Sequence, residues 1–378
     1  MKKHLLSMAV LVMGTALFTA CSDSDDNKSE HPVAVSNGFY VVCSGNTSSS
    51  IDGSLTYFDY TTTKATPNAF KAANGRSLGM TVNDAVRYGD KLYVVVDGEH
   101  KVFVTDAKSL KQITTIDLAS TAMLGEQGGA HPRRLTGADG NIYVSTYGGF
   151  VAAIDTISFS LKQKYQVGSY PEGLAISNGI LYVANSDYGM GQNPSISKIT
   201  LSTGAVSEVK DANIRNPQEI AVAGSDIYFL DYGQYGPAPT YAQENAGVYC
   251  ISQSGVKCVV PNATAMAAAG YNIYTINAPY GQGETSYNIY NIQSGSLTKF
   301  TPADIESPAC IGVDPITNNV MIASYHMTQT DWGPFADYSG NGYVNIYDPT
   351  VSKKISTFDC GVGPQRFSCN IGIRYIVY

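Results

Sequence analysis

Tyr170-Pro171-Glu172-Gly173-Leu174-Ala175-Ile176-Ser177-Asn178-Gly179-Ile180-Leu181-Tyr182-Val183-Ala184-Asn185 is the stretch that decides the fold. Two short apolar runs flank Asn-Gly, the strongest short-range hairpin signal, because both central residues of the tight turn need positive φ. Its parts recur along the chain. An apolar–Tyr–apolar phrase appears as Phe39-Tyr40-Val41, Leu92-Tyr93-Val94, Ile142-Tyr143-Val144, Leu181-Tyr182-Val183, Ile227-Tyr228-Phe229 and Ile273-Tyr274-Thr275, with Val320-Met321-Ile322 as a degenerate seventh copy. The copies lie 39 to 53 residues apart. A Pro-centred phrase precedes it at Pro132, Pro171, Pro217, Pro308 and Pro364. An apolar run ending in Asp follows it at Asp59, Asp106, Asp155 and Asp348. About four short strands per repeat, at a period near 40–50 residues, predict an all-β, seven-bladed β-propeller of four-stranded antiparallel blades.

The ends fit a closed ring. The chain opens on a second strand, Phe39 to Cys43, and finishes on a first strand at Gly363-Pro364-Gln365-Arg366-Phe367-Ser368-Cys369. The C-terminal strand is therefore expected to complete the first blade, which removes exposed sheet edges. Composition agrees. Charged residues make up 15% of the 378, against roughly 25% in ordinary globular chains, while Gly numbers 37, Tyr 27 and Trp 1. Few charges, many turn formers and many tyrosines suit strands with a polar aromatic surface. A net charge of −7 with no basic tract argues against nucleic acid.

The first 20 residues read as an address. Met1-Lys2-Lys3-His4 is a basic n-region and residues 5–18 are an apolar stretch, too short for the roughly 20 residues of a bilayer span. Phe18-Thr19-Ala20-Cys21 resembles a bacterial lipobox, which implies lipidation at Cys21. The acidic run Ser22-Asp23-Ser24-Asp25-Asp26 resembles the surface-export signal of Bacteroidota lipoproteins. The expected organisation is a signal peptide over 1–20, a lipidated acidic linker over 21–36 and the propeller over 37–378. The expected location is the outer membrane, held by a lipid anchor alone and facing the exterior.

The ring of strand phrases resembles YncE-like propellers. Gly53-Ser54-Leu55-Thr56-Tyr57-Phe58-Asp59, Phe70-Lys71-Ala72-Ala73-Asn74-Gly75-Arg76-Ser77-Leu78-Gly79 and Gly89-Asp90-Lys91-Leu92-Tyr93-Val94-Val95 resemble a family of Bacteroidota surface lipoproteins that includes the BtuG-type proteins. The resemblance covers residues from about 37 to 370. It implies capture of cobalamin, a corrinoid, and its transfer to a TonB-dependent outer-membrane transporter. The family offers no short ligand motif to carry across.

Loop composition nominates a site. In a propeller the loops from second to third strand crowd one face, and here those of residues 185–195, 231–247, 277–287 and 324–342 are long. Loops beyond about 12–15 residues are uncommon unless functional. These loops carry Tyr188, Tyr232, Tyr235, Tyr241, Tyr280, Tyr287, Tyr325, Tyr338, Phe335 and the sole Trp332, with Tyr147 in a shorter loop. Tyrosine and tryptophan pair rigid contact area with a hydrogen-bonding tip, as binding surfaces require. The alternative is that they pack the loops on themselves. Arg133, Arg134, Glu172, Gln218, Glu219, Gln365 and Arg366, with Asn83 and Asp84, flank the Pro-centred phrase and point to the same mouth; for Arg133 and Arg366 a structural role at the blade ends stands beside the binding role. A corrinoid, apolar on its faces and rimmed by neutral amides, suits such a surface. So does a sugar, and a glycan- or protein-binding propeller remains the competing reading.

Signals for catalysis and metals are thin, so the expectation is a non-enzyme with no cofactor and no metal; a propeller hydrolase or lyase is the remote third reading. His31, His100, His131 and His326 contain no pair at zinc-ligand spacing. Asp337-Tyr338-Ser339-Gly340-Asn341-Gly342 only loosely echoes a calcium loop, since Ser takes its third position. No G-x-S-x-G is present. Cys250 and Cys258 flank Ser252-Gln253-Ser254-Gly255. A three-residue loop there sets them opposite each other and predicts a disulfide, whereas a four-residue loop separates them.

Overall fold

Each repeated phrase becomes a strand in the computed structural model, which describes residues 30–281, 284–331 and 333–377. Among these residues the strands form seven four-stranded antiparallel sheets and two small two-stranded ones. Sheet 4 holds the stretch quoted first: Pro171–Ser177, Ile180–Asn185, Ser195–Thr200 and Ala205–Val209. Asn178 and Gly179 sit at φ 50° and 73°, the left-handed pair an Asn-Gly hairpin turn requires. Sheets 2, 3, 5, 6 and 7 repeat the pattern and begin at Val82, Pro132, Pro217, Ala265 and Ser307. Sheet 1 is assembled from both ends of the chain: Pro364–Val377 pairs with Glu30–Cys43, followed by Ser54–Asp59 and Lys64–Thr66. The C-terminal strand continues past Asn370 without a break. Ala34–Gly372 is one compact unit; residues 30–33 and 373–377, all extended strand, fall in a second.

The apolar phrases bury on both faces. Leu92, Val94 and Val96 enter the hydrophobic cluster shared by sheets 1 and 2, while Tyr93 and Val95 enter the one shared by sheets 2 and 3. A strand covered on both sides reads as a continuous apolar run rather than an alternating one. Such clusters follow between each successive pair of sheets. The cluster that closes the circuit sets Phe39, Val41 and Phe58 of sheet 1 against Met321, Val344 and Ile346 of sheet 7. The fold is a β-propeller.

The Asp that ends the third-strand phrase has a local cause. The carboxylate of Asp155 accepts the amides of Ile157 and Ser158 at 3.0 and 2.8 Å, and Asp106 accepts those of Lys108 and Ser109 at 3.1 and 2.8 Å. Asp59 and Asp348 cap their turns in the same way. Short acidic side chains substitute for backbone acceptors in such turns.

The expected disulfide does not form: Cys250 and Cys258 are free thiols. Ser252 pairs with Gly255, leaving a two-residue turn, so Cys250 faces Lys257 and Cys258 faces Tyr249. One register step moves a strand residue to the other face. Cys258 accordingly packs between sheets 4 and 5, and Cys250 between sheets 5 and 6.

Candidate functional site

The loops before each first strand and after each second strand gather at one mouth, whose floor is polar. Arg133 donates from Nε to Glu172 Oε2 at 2.9 Å and from Nη1 to Asp97 Oδ2 at 3.2 Å. Tyr147 lies beneath the Arg133 guanidinium, 4.6 Å from ring centre to Cζ, and its hydroxyl donates to Glu172. Arg366 of sheet 1 reaches Asp84 of sheet 2 at 2.9 Å and Glu219 of sheet 5 at 3.2 Å. Arg134 donates to the Asn83 carbonyl and lies 4.0 Å from Glu219. Glu172 and Asp84 are buried, at 2% and 0% exposure. Buried carboxylates must be paired, and these are. Burial pushes the Tyr147 phenol up, and the neighbouring Glu172 charge adds to the shift.

This network assigns the expected polar ligand-binders to a structural floor. Arg133 bonds Glu172 and Asp97, and Arg366 bonds Asp84 and Glu219. Gln218 turns back to Asn216 Oδ1 at 2.6 Å. Beside the floor, a cavity of about 220 Å³ is lined by Glu219, Met266, Cys310, Gln365 and Arg366. Ligand sites for drug-sized molecules run to roughly 300–1,000 Å³, so this cavity lies below that range.

Above the floor stand two aromatic groups. On sheets 3 and 4, Tyr147, Tyr170 and Tyr188 form a triangle with ring centres 5.0, 5.1 and 6.0 Å apart. The row extends through His131, 6.3 Å from Tyr147, to His100, 5.3 Å further. On sheets 5 to 7 the rings ride on longer loops. The loop of residues 231–247 contains a small hairpin, Gln234–Tyr235 with Gln243–Glu244, and that of residues 324–342 contains Met327–Thr330 with Gly333–Ala336. Gly233 permits the first hairpin to leave its sheet: φ is 64° there, and a Cβ would lie 1.9 Å from the Glu244 carbonyl oxygen. The buried carboxylate of Asp231 anchors the loop base by accepting the amides of Arg215, Asn216 and Gly233 at 2.7–2.9 Å.

Tyr235 and Tyr280 approach with ring centres 6.3 Å apart, and both are more than 60% exposed. Gln243 joins their loops. Its amide donates to the Tyr280 carbonyl at 2.8 Å, its Oε1 accepts from the Tyr280 amide at 3.2 Å, and its Nε2 donates to the Tyr232 carbonyl at 2.8 Å. Tyr338 packs on Tyr325 and Phe335, at 4.8 and 5.5 Å. Asp337 Oδ1 accepts the amides of Ser339 and Gly340, so the stretch that echoes a calcium loop is a capped turn. His326 is held by Glu306 at 3.0 Å.

Tyr188, Tyr232, Tyr235, Tyr241, Tyr280, Phe335 and Tyr338 are exposed, as a binding surface needs. Tyr325 is half-buried, and its phenol is pushed up to about 12 by that burial. Tyr287 is a correction: it belongs to the core between sheets 6 and 7, because it lies inside the third strand rather than in the loop before it. Trp332 and Cys21 lie outside the described residues. Reasoning from loops missed Tyr170, which sits one residue before a first strand; the Pro that follows it was the available signal. It also missed Gln243, a buried amide inside a polar loop. A cleft of about 560 Å³ opens where residues 189–194 of sheet 4, the connection 210–215 and residues 233–234 of sheet 5 meet, and no aromatic ring lines it.

The structure also gathers Asp97, His100 and His131, from three positions on two sheets. One ligand-capable atom of each lies within 4.8 Å of the others. No sequence spacing announces this, since the two histidines are 31 residues apart.

Among known proteins, the model of a domain of unknown function (DUF5074) matches residues 37–131. No curated protein matches the chain. Hydrazine synthase of Kuenenia stuttgartiensis, which contains a propeller, is 14% identical over 77% of this chain and 93% of that one, with a TM-score of 0.54. The computationally designed Ika8 protein is 11% identical over 75% and 88%, with a TM-score of 0.48, too low to weigh. At such identity a likeness carries architecture alone, and the architecture it carries is the β-propeller already read from the sheets.

Proposed function

We propose that this chain is a non-enzymatic capture protein, a YncE-like, BtuG-type surface lipoprotein that holds a corrinoid at the mouth of its propeller and passes it to a TonB-dependent outer-membrane transporter. The observation that carries the reading is the pair of exposed tyrosine groups raised above a floor whose charges are already paired. A flat molecule with apolar faces and an amide rim gains from rings that stack and hydroxyls that bond, and needs no free charge. Each arginine of the floor already faces a carboxylate, so no free cation waits there for such a neutral ligand to desolvate. The lipobox at Cys21 and the acidic residues after it support a lipid-anchored position on the outer face of the outer membrane. Among the described residues, no helix is long and apolar enough to cross a membrane.

The test is direct. Purified protein mixed with cyanocobalamin should elute from gel filtration as a coloured complex of one ligand per chain. A titration by calorimetry should then lose affinity when Tyr188 or Tyr235 is truncated. Colourless protein at tens of micromolar ligand sinks the corrinoid reading. The same exposed rings suit sugar faces, so a glycan array run in parallel decides between the two: binding there with none to cyanocobalamin moves the protein to the glycan-binding class.

A further inference from the structure

We propose that Asp97, His100 and His131 form a binding site for one divalent transition-metal ion, with Zn²⁺ as its probe. The site does not rest on the corrinoid reading. Asp97 and His100 belong to one turn, closed by the His100 amide donating to the Asp97 carbonyl at 2.9 Å. His131 enters from the next sheet, and its amide donates to His100 Nδ1 at 3.2 Å. Its own Nδ1 lies 2.8 Å from Asp97 Oδ1.

Two histidines and one carboxylate make a common set for a tetrahedral zinc site with one open position. Ligand bonds of about 2.0–2.2 Å place tetrahedral donors about 3.3–3.6 Å apart. The present upper limit of 4.8 Å is thus about 1.5 Å too wide at most. The rings can close that gap, because His131 is exposed and His100 half-buried while Asp97 is fixed by burial.

The surroundings complete the case. Asp97 Oδ2 is held by Arg133 Nη1 at 3.2 Å and Asn83 Nδ2 at 3.3 Å. These bonds leave Oδ1 turned toward the histidines, and ligating carboxylates are ordinarily oriented by such outer partners. Arg133 itself is shared with Glu172. Two carboxylates and one guanidinium therefore leave the group with one net negative charge when both imidazoles are neutral, which an entering cation offsets. The ion takes the place of the His131–Asp97 hydrogen bond, and the proton of the neutral imidazole sits on the ring nitrogen that does not ligate, exchanged through solvent. Water fills the open position.

The experiment uses untagged, chelator-stripped protein. Zn²⁺ is titrated in competition with a chromogenic chelator of micromolar affinity, and Co²⁺ is added separately to read its visible bands. One equivalent should bind. His100→Gln and His131→Gln should each weaken binding by about tenfold or more, since loss of even an outer-shell partner costs about 10–100-fold. His326→Gln, at the ring held by Glu306, is the control and should bind as the parent does. Metal-free thermal unfolding of each variant shows whether it is folded. The proposal is overturned if the parent protein takes up no stoichiometric metal at 100 µM Zn²⁺, a reading that needs no variant. It is equally overturned if both folded His→Gln variants bind as tightly as the parent.

Discussion

The mouth has two unlike halves. Sheets 2 to 4 meet it with loops that hold no strands of their own, whose rings and imidazoles form one row from His100 through His131 and Tyr147 to Tyr188. Sheets 5 to 7 meet it with long loops, two of them holding hairpins, whose rings meet within the arms: Tyr235 touches Tyr280, and Tyr338 touches Tyr325 and Phe335. The first half is built against the floor: Tyr147 donates to Glu172 and supports Arg133. The second is built loop against loop, through Gln243. Rigid rings bind without an ordering cost, whereas arms must lose mobility first. The two halves should therefore contribute differently to affinity and respond differently to mutation.

The floor is the one part both halves share, so breaking it should have the largest effect. Asp84→Ala removes a fully buried carboxylate that holds Arg366 and accepts the Leu135 amide at 3.0 Å. Uncoupling a buried pair costs about 3–5 kcal/mol, and the lower end applies because Arg366 keeps partial access to water. Denaturant unfolding of Asp84→Ala against the parent measures this. A loss under about 1 kcal/mol would mean that the floor is ornamental and the halves are held apart by the sheets alone.

Next come the rings. Tyr188→Ala should weaken cyanocobalamin by about thirtyfold, the worth of a hot-spot residue near 2 kcal/mol. Tyr235→Ala and Tyr280→Ala should cost about tenfold each, since part of their contact energy goes into ordering the arms. Calorimetric titrations give all three values, with unfolding midpoints unchanged because none of the three is a core residue. Equal losses would erase the distinction between the halves, and larger losses on the arms would reverse it.

How much of this was legible beforehand divides along the same line. Strand phrases announced the sheets because a strand buried on both faces has no freedom in composition: Leu92, Tyr93, Val94, Val95 and Val96 all enter cores. Closure was legible because a missing first strand at one end matched a surplus strand at the other. Ring chemistry at the mouth was legible as loop composition. Pairing was not. Arg366 meets Glu219 across 147 positions, and Arg133 meets Glu172 across 39. Charges that look free in a sequence find partners only when sheets are brought round the ring. Cys250 and Cys258 failed for a smaller reason, one residue of turn length, to which a sequence is nearly blind.

Gln243→Ala tests the arms more gently. It deletes the side-chain bond to the Tyr280 amide, which ties the loops of sheets 5 and 6, and the bond to the Tyr232 carbonyl within the first of them, but no ring. Affinity should fall by about threefold, and amide exchange at Tyr280 should quicken, because Gln243 Oε1 accepts that amide. Stability should fall by about 1–2 kcal/mol, the ordinary worth of a buried side-chain bonding group. Unchanged exchange at Tyr280 would show that the hairpins hold themselves.

The smallest effect lies away from the mouth, in the turns where third strands end, and acid reaches it. Asp106 and Asp155, on sheets 2 and 3, and Asp348, on sheet 7, have carboxyls held below the ordinary range. The Ser109 and Ser158 amides are the first cause for the first two, and the Thr350 hydroxyl for the third. A depressed folded-state pKa stabilises the fold above the unfolded value, near 3.9, and the contribution drains away as pH falls through the folded value. The turns are exposed, so each share is small. Asp155→Ala should lower the unfolding midpoint by about a degree or two at pH 7, and the difference from the parent should shrink toward zero as pH falls below the unfolded value and through the lower folded one. Asp348→Ala should do the same, because its turn carries the same cap on the opposite side of the ring. A gap that widens in acid would contradict the sign of the shift. A deficit confined to one of the two variants would mean that the contrast between the halves extends beyond the mouth to the turns beneath them.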